Sequence, residues 1–238
     1  MFGNDFENKN ILIVGASSGV GAALAQELAQ AGANLYTVSR RQPEGFASHH
    51  LSLDLSAADF TLTHLPAKLH GIAYCAGSIT LKPFQRLKRE DLMKDHQINV
   101  LAAISVLQQS QAALKAAEKS SVVLFGTVAA QTGMGFHASI ATAKAALIGL
   151  TRSLAAEWAS QGTRLNLIEP SLTDTPLAAA LLSSPEKREA AAKRHPLGKI
   201  GTAHDLAATA AFLLSEKAAW ITGQTIGVDG GLGTLRPI

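Results

Sequence analysis

Two short stretches carry residue types suited to holding phosphate. Gly15-Ala16-Ser17-Ser18-Gly19-Val20-Gly21 separates the aliphatic run NILIV from a segment with Val20, Leu24 and Leu28 at helical spacing. Glycines at this junction let the chain turn sharply and bring its backbone close to a pyrophosphate. The following helix then offers free N–H groups and a partial positive charge. Ser17 and Ser18 add hydroxyl donors. The second stretch, TVSRR, ends the next aliphatic run with Ser39, Arg40 and Arg41. An acid there would pair with ribose hydroxyls and repel a 2′-phosphate, whereas a hydroxyl and guanidinium groups suit one. The pair of motifs predicts a dinucleotide site that takes NADP(H). Asp54, ending a third run beside Leu55, is a candidate acceptor for an adenine amino group or a cap on its own loop.

The elements that must position these residues alternate along the chain. NILIVGAS, NLYTVSR, HHLSLDL, GIAYCAG, SVVLFGT, RLNLIEPS and GQTIGVDGG read as strands. Between them lie helical stretches, among them a long alanine-rich region at 90–117 and a long helix at 138–160 with a broad apolar surface. Continuous apolar strands separated by helices predict an α/β fold, a single-domain doubly wound parallel sheet over 1–238, the Rossmann fold. Residues 171–200 break the rhythm at the carboxyl end of a strand, where such folds place lids. This segment offers Leu177, Leu181, Leu182 and Leu197 to a substrate, with Lys187, Arg188, Lys193 and Arg194 alongside.

Bulk properties remove other function classes. Apolar residues make up 47% of the 238, enough for a large core and against disorder. The formal charge is +3 and the basic residues are scattered, which argues against nucleic acid as partner. The single cysteine, Cys75, cannot form an internal disulfide, and no Cys/His cluster suggests a metal. No apolar run nears the ~18 residues of a membrane span, and the acidic N-terminal stretch has no signal-peptide core. A cytoplasmic protein with a small-molecule substrate is expected.

In this order and at these spacings the motifs resemble the short-chain dehydrogenase/reductase family from Asn10 to Gly231. The glycine turn at 15–21, Asp54-Leu55, and the closing ITGQTIGVDGG carry the likeness. Cys75-Ala76-Gly77 stands where the family has an Asn-Ala-Gly turn, and Pro170-Ser171 where it has Pro-Gly. The resemblance implies that Leu172, Thr173 and Thr175 hold the nicotinamide carboxamide and phosphates. It also implies a homodimer or homotetramer built through the two long helices. The segment between Asp54 and Cys75 looks shortened, so its helix is expected to be a loop.

The resemblance further implies a catalytic set of Ser, Tyr, Lys and Asn. The matching positions are Thr127, Ile140, Lys144 and Asn99, with Thr127 thirteen residues before Ile140. Ile140 can neither donate nor accept a proton. General acid–base help is worth roughly 10²–10⁴-fold, or about 3–5 kcal/mol. Its loss bears hardest on ketone reduction. An iminium ion, which needs no proton, or an enone whose enolate is protonated later, tolerates the loss. His137, seven residues before Lys144, is a candidate acid at the spacing that enoyl reductases of the superfamily use for their tyrosine. The expectation is an NADP(H)-dependent oxidoreductase with an atypical set (Thr127, Lys144, Asn99, His137), acting on a small carbonyl, imine or enone. The alternatives are a catalytically silent NADPH-binding protein, or an engineered Tyr→Ile variant of an active carbonyl reductase.

Overall fold

The computed structural model describes Gly3 and residues 5–236. Met1, Phe2 and Asn4 of the N-terminal stretch, and the last two residues of the expected 1–238 domain, lie outside it.

The first half runs β1 (Asn10–Val14), α1 (Gly19–Gln30), β2 (Asn34–Ser39), β3 (His49–Ser52) and β4 (Gly71–Tyr74). Next come α2 (Arg89–His96), a π-helical turn (Gln97–Leu101), α3 (Ala102–Ala116), β5 (Ser120–Phe125), α4 (Ala129–Thr132) and α5 (Ala138–Trp158). The chain closes with β6 (Thr163–Pro170), β7 (Thr173–Asp174), α6 (Pro185–Lys193), β8 (Gly201–Thr202), α7 (Ala203–Leu214) and β9 (Thr225–Val228). Seven strands form one parallel sheet in the order β3-β2-β1-β4-β5-β6-β9. The order reverses between β1 and β4, so the carboxyl ends of these neighbours flank a crevice. No helix forms between Ser52 and Gly71, as the shortened sequence there leads one to expect.

Period-two alternation divides the core into two layers. Ile11 and Ile13 of β1 pack with Leu24 and Leu28 of α1 and Ala207, Ala210 and Ala211 of α7. Leu12 and Val14 face the other way, onto Val106 and Leu107 of α3 and Leu147 and Trp158 of α5. Both faces of the sheet are covered, which is why its strands are apolar throughout.

The broad apolar surface expected on α5 is narrower than the sequence suggests. Leu147 and Ala155 turn into the core and Ile148 and Leu154 are half-buried. The exposed face carries Thr142, Ala145, Ala146, Gly149, Ser153 and Ala156 instead, joined by Arg152 and Glu157 in its C-terminal half. The reason is geometric: a 3.6-residue repeat sends the large residues to the sheet and leaves a stripe of small ones outside.

Residues 171–200 make a small packed unit. β7 and β8 pair as a separate two-stranded sheet, and Ala178, Leu182 and Ala191 form a satellite core with Leu172 and Ile200. Ser184 caps α6 ahead of Pro185, and Arg188 forms a bidentate pair with Asp174 at 2.7 and 3.1 Å.

Candidate active site

A cleft of about 290 Å³ opens at the carboxyl ends of β4, β5 and β6. Among the residues read from the sequence, it brings together Val20, Cys75-Ala76-Gly77, Asn99, Thr127, His137, Ile140, Lys144, Pro170, Leu172, Thr173 and Thr175. Gly15, Ser17, Ser18, Gly19, Gly21, Ser39, Arg40, Arg41, Asp54 and Leu55 do not line this cleft. They follow the ends of β1, β2 and β3, on the neighbouring side of the sheet.

The turn between β1 and α1 is too tight for side chains at two of its glycines. Gly15 has φ +90, and a Cβ there would lie 2.7 Å from the Ala76 backbone nitrogen. A Cβ on Gly21 would clash with the Gly15 carbonyl oxygen. Ser18 occupies the N-cap of α1 without a side-chain capping bond, whereas α7 closes its own N-terminus with the reciprocal Thr202–Asp205 capping box. The first N–H groups of α1 therefore have no side-chain cap to compete with an anion.

The other cofactor-side residues divide by role. Arg40 and Arg41 are exposed, while the Ser39 hydroxyl donates to the Arg41 carbonyl at 2.7 Å and so shapes the turn that presents them. Asp54 accepts from the Ser56 backbone N–H and hydroxyl at 2.9 and 2.8 Å, which holds its carboxyl below the usual range. It caps its loop, the second of the two roles its position allows. Leu55 buries its side chain in the core and has only its backbone to offer.

Ile140 and Lys144 lie one helical turn apart on the face of α5 that walls the cleft. Lys144 Nζ donates to the Phe125 carbonyl at 2.7 Å. Burial pulls its pKa down to about 8, with Cys75 and Asp95 acting in the opposite direction. Burial pushes the Cys75 thiol up to about 12, so it is a protonated wall of the cleft at neutral pH. Ile140 is 4% exposed and places a branched hydrocarbon where the resemblance puts a phenol.

Asn99 sits in the π-helical turn, a distortion that re-aims side chains at functional positions. Its amide donates to the Asp95 carbonyl at 2.8 Å and to the Ser78 carbonyl and hydroxyl at 3.2 Å. Its Oδ1 is buried without a protein partner and lies 2.9 Å from where a Gly77 Cβ would stand. This orphaned acceptor fits a water held in the cleft.

Behind Asn99 lies a residue the sequence reading passed over. Asp95 is fully buried and accepts from the hydroxyls of Ser139 at 2.7 Å, Ser78 at 2.8 Å and Thr80 at 3.3 Å, and from the Thr80 N–H at 3.2 Å. It ties α2 to the start of α5 and braces the π turn. The Ser139 proton is thereby committed away from the cleft. Tyr74 is committed too: its hydroxyl donates to the Ile98 carbonyl at 2.6 Å and burial raises its pKa. Tyr36 stacks on His49 outside the cleft.

His137 is the N-cap residue of α5, with Nδ1 2.7 Å from the Gly135 carbonyl. Two further polar residues enter from the 171–200 segment. Ser171, where the resemblance puts glycine, lies 2.6 Å from Nε2 of His195. Only the glycine replacement hints at this pair in the sequence. Of the 171–200 side chains, Leu177, Leu181 and Arg194 are among those that line the cleft. Leu182 is in the satellite core, Leu197 is exposed away from the cleft, and Arg188 and Lys193 are paired with Asp174 and Glu189. Lys187 donates to the Ser183 hydroxyl. Among the described residues, no group of three His, Cys, Asp or Glu side chains could hold a metal ion, and no helix is long and apolar enough to cross a membrane.

The chain is similar to known proteins along most of its length. Residues 15–233 match a family model described as enoyl-(acyl carrier protein) reductase. A tropinone reductase homolog of Arabidopsis thaliana is 32% identical over 95% of this chain and 93% of its own length. The 3-oxoacyl-[acyl-carrier-protein] reductase of Escherichia coli is 31% identical over 96% of this chain and 98% of its own. A putative 2-deoxy-D-gluconate 3-dehydrogenase from Agrobacterium tumefaciens, solved with bound NADP, superposes with a TM-score of 0.86 at 30% identity, covering 97% of this chain and 98% of that one. With the fold, the glycine turn and these relatives in agreement, the chain belongs to the short-chain dehydrogenase/reductase family of nicotinamide-dependent oxidoreductases.

Proposed function

We propose that this chain is an NADP(H)-dependent reductase of a small carbonyl, imine or enone that works without the tyrosine. The observation that carries the reading is the cleft itself. Thr127, Asn99 and Lys144 converge on it while Ile140 supplies only a wall. A chain kept for binding alone has no need of Asn99 held by three hydrogen bonds with its oxygen left open.

Bound cofactor supplies the hydride, and the residues of this chain do the rest. The glycine turn and the α1 N-terminus take the pyrophosphate, and Arg40 and Arg41 take the 2′-phosphate. Lys144 offers its ammonium to the nicotinamide ribose, and Thr127 polarises the substrate oxygen. Leu172, Thr173 and Thr175 hold the carboxamide end. Residues 171–200 act as the substrate lid, with Leu177 and Leu181 presenting an apolar surface and Arg194 a positive charge. Two imidazoles, those of His137 and His195, line the cleft. The protein is expected to be cytoplasmic and to associate through its long helices.

The test is NADPH consumption by the native chain and by Ile140→Tyr, side by side, over ketones, imines and enones. Turnover by the native chain is expected. Turnover only by the tyrosine variant would replace this reading with a silent NADPH-binding protein whose site is otherwise whole.

A further inference from the structure

The polar pair in the cleft wall has the geometry of an acid–base relay. Ser171 Oγ lies 2.6 Å from His195 Nε2, and His195 Nδ1 lies 2.8 Å from the Ala191 carbonyl. A carbonyl only accepts, so Nδ1 carries a proton, and in the neutral ring Nε2 accepts the Ser171 hydroxyl. His195 is 4% exposed and lies against Gly230, where an added Cβ would meet its side chain at ordinary contact distances of 3.4–3.7 Å. The pair is therefore held in place by the fold, and both residues line the same cleft as Thr127, Asn99 and Lys144. A hydroxyl hydrogen-bonded to a base, the base oriented by a third group, is the general pattern of an activated oxygen.

The other hydroxyl donors near the cleft are spent or have nothing behind them. The hydroxyls of Ser78 and Ser139 go to Asp95 and that of Tyr74 to Ile98. Thr127 Oγ1 accepts the Ala129 N–H and has no titratable group hydrogen-bonded to it that could replace a lost proton. His137 is held only by the local contact to Gly135, next to Phe136, which is 61% exposed.

We propose that Ser171 and His195 form the proton path that takes over from the missing phenol, an assignment that rests on the reductase reading above. As hydride reaches the carbonyl carbon, the C=O π bond breaks and its electron pair moves to oxygen. The relay starts from the imidazolium, in which Nε2–H donates to Oγ and the Ser171 hydroxyl is free to point at the substrate, whose oxygen takes the Oγ–H proton. Oγ is reloaded from Nε2–H of the His195 imidazolium, leaving a neutral ring with Nδ1–H on the Ala191 carbonyl. Solvent then reprotonates Nε2.

The experiment compares Ser171→Gly, His195→Asn and the double variant with the native chain. Glycine is the residue the family pattern puts at 171, and an asparagine Nδ2 can keep the bond to Ala191. Two probes are used: the ketone that the native chain reduces fastest, and N-methyl-2,3,4,5-tetrahydropyridinium, an iminium ion that needs no proton. Each single variant is expected to lower kcat on the ketone by about 10²-fold or more. The double variant should lose no more than either single, as for groups acting as one unit. Iminium reduction by all three variants should stay within about threefold of native, since that substrate takes no proton. Nitrogen NMR of the cofactor-free native chain should show the neutral His195 ring protonated at Nδ1.

Ketone turnover that survives Ser171→Gly would overturn the proposal and leave the reductase reading standing. Equal loss on ketone and iminium would reduce the pair to a structural brace and overturn it likewise. A neutral ring protonated at Nε2 would also overturn it. Failure of the native chain to reduce any ketone, imine or enone would sink both readings together.

Discussion

Lys144 donates a 2.7 Å hydrogen bond to the backbone carbonyl of Phe125, two residues before Thr127. The bond joins α5 to the end of β5 and spends one of the three ammonium donors. The ammonium is held in a buried setting that favours its neutral form.

A pH dependence of stability follows. The folded chain releases the Lys144 proton near pH 8, against an ordinary 10.5. Between those values the unfolded chain binds more protons, so this group makes stability rise with pH, and its burial penalty is full below about 8. At ~1.4 kcal/mol per unit, the contribution is a few kcal/mol. The stability of Lys144→Met relative to native should therefore be greatest at pH 7 and fall as pH rises towards 10.5. Urea unfolding of both chains at several pH values measures it, and a constant difference would refute the assignment.

Gly77 leaves room for the Asn99 oxygen. An alanine Cβ would stand 2.9 Å from Oδ1, and Asn99 is tied by three hydrogen bonds and cannot yield easily. Gly77→Ala should lower kcat by about tenfold, while Tm shifts by no more than ~4 °C, the equivalent of about 1 kcal/mol. Unchanged turnover would mean that Asn99 Oδ1 has no part in the reaction.

Arg40 and Arg41 are exposed at the end of β2. Replacing both with alanine should weaken NADPH binding by roughly 10–100-fold, the equivalent of one charge-assisted hydrogen bond of about 1.5–3 kcal/mol. NADH, which lacks the 2′-phosphate, should bind within about threefold of native. Calorimetric titration with both cofactors separates these outcomes, and parallel losses would point to a damaged turn instead.

The exposed stripe of α5, with Ala145, Ala146 and Gly149, allows another helix to approach closely. The native chain should be a dimer or tetramer by light scattering at micromolar concentration. Ala146→Glu, at a site exposed in the single chain, should shift the mass towards the monomer with the fold intact by circular dichroism. A monomeric native chain would remove α5 as an interface.

The sequence by itself determined the order of the elements and the place of the glycine turn between β1 and α1. Glycine sterics, strand alternation and helix periodicity act within a few residues, so the turn at 15–21 and the β/α order need no distant information. Thr127, Lys144 and Asn99 were legible because family spacing stands in for tertiary contact. Asp95 was not: in the run KDH it reads as a solvated helix charge, and only the packing of α2 against α5 buries it beside Ser139, 44 residues away. Leu147 and Ala155 looked available for an interface until the sheet claimed them. Ser171 and His195 lie 24 residues apart on separate elements, and no local pattern links them. The tertiary structure alone decided that their side chains meet, because a contact of that range depends on how the 171–200 segment folds back over the cleft.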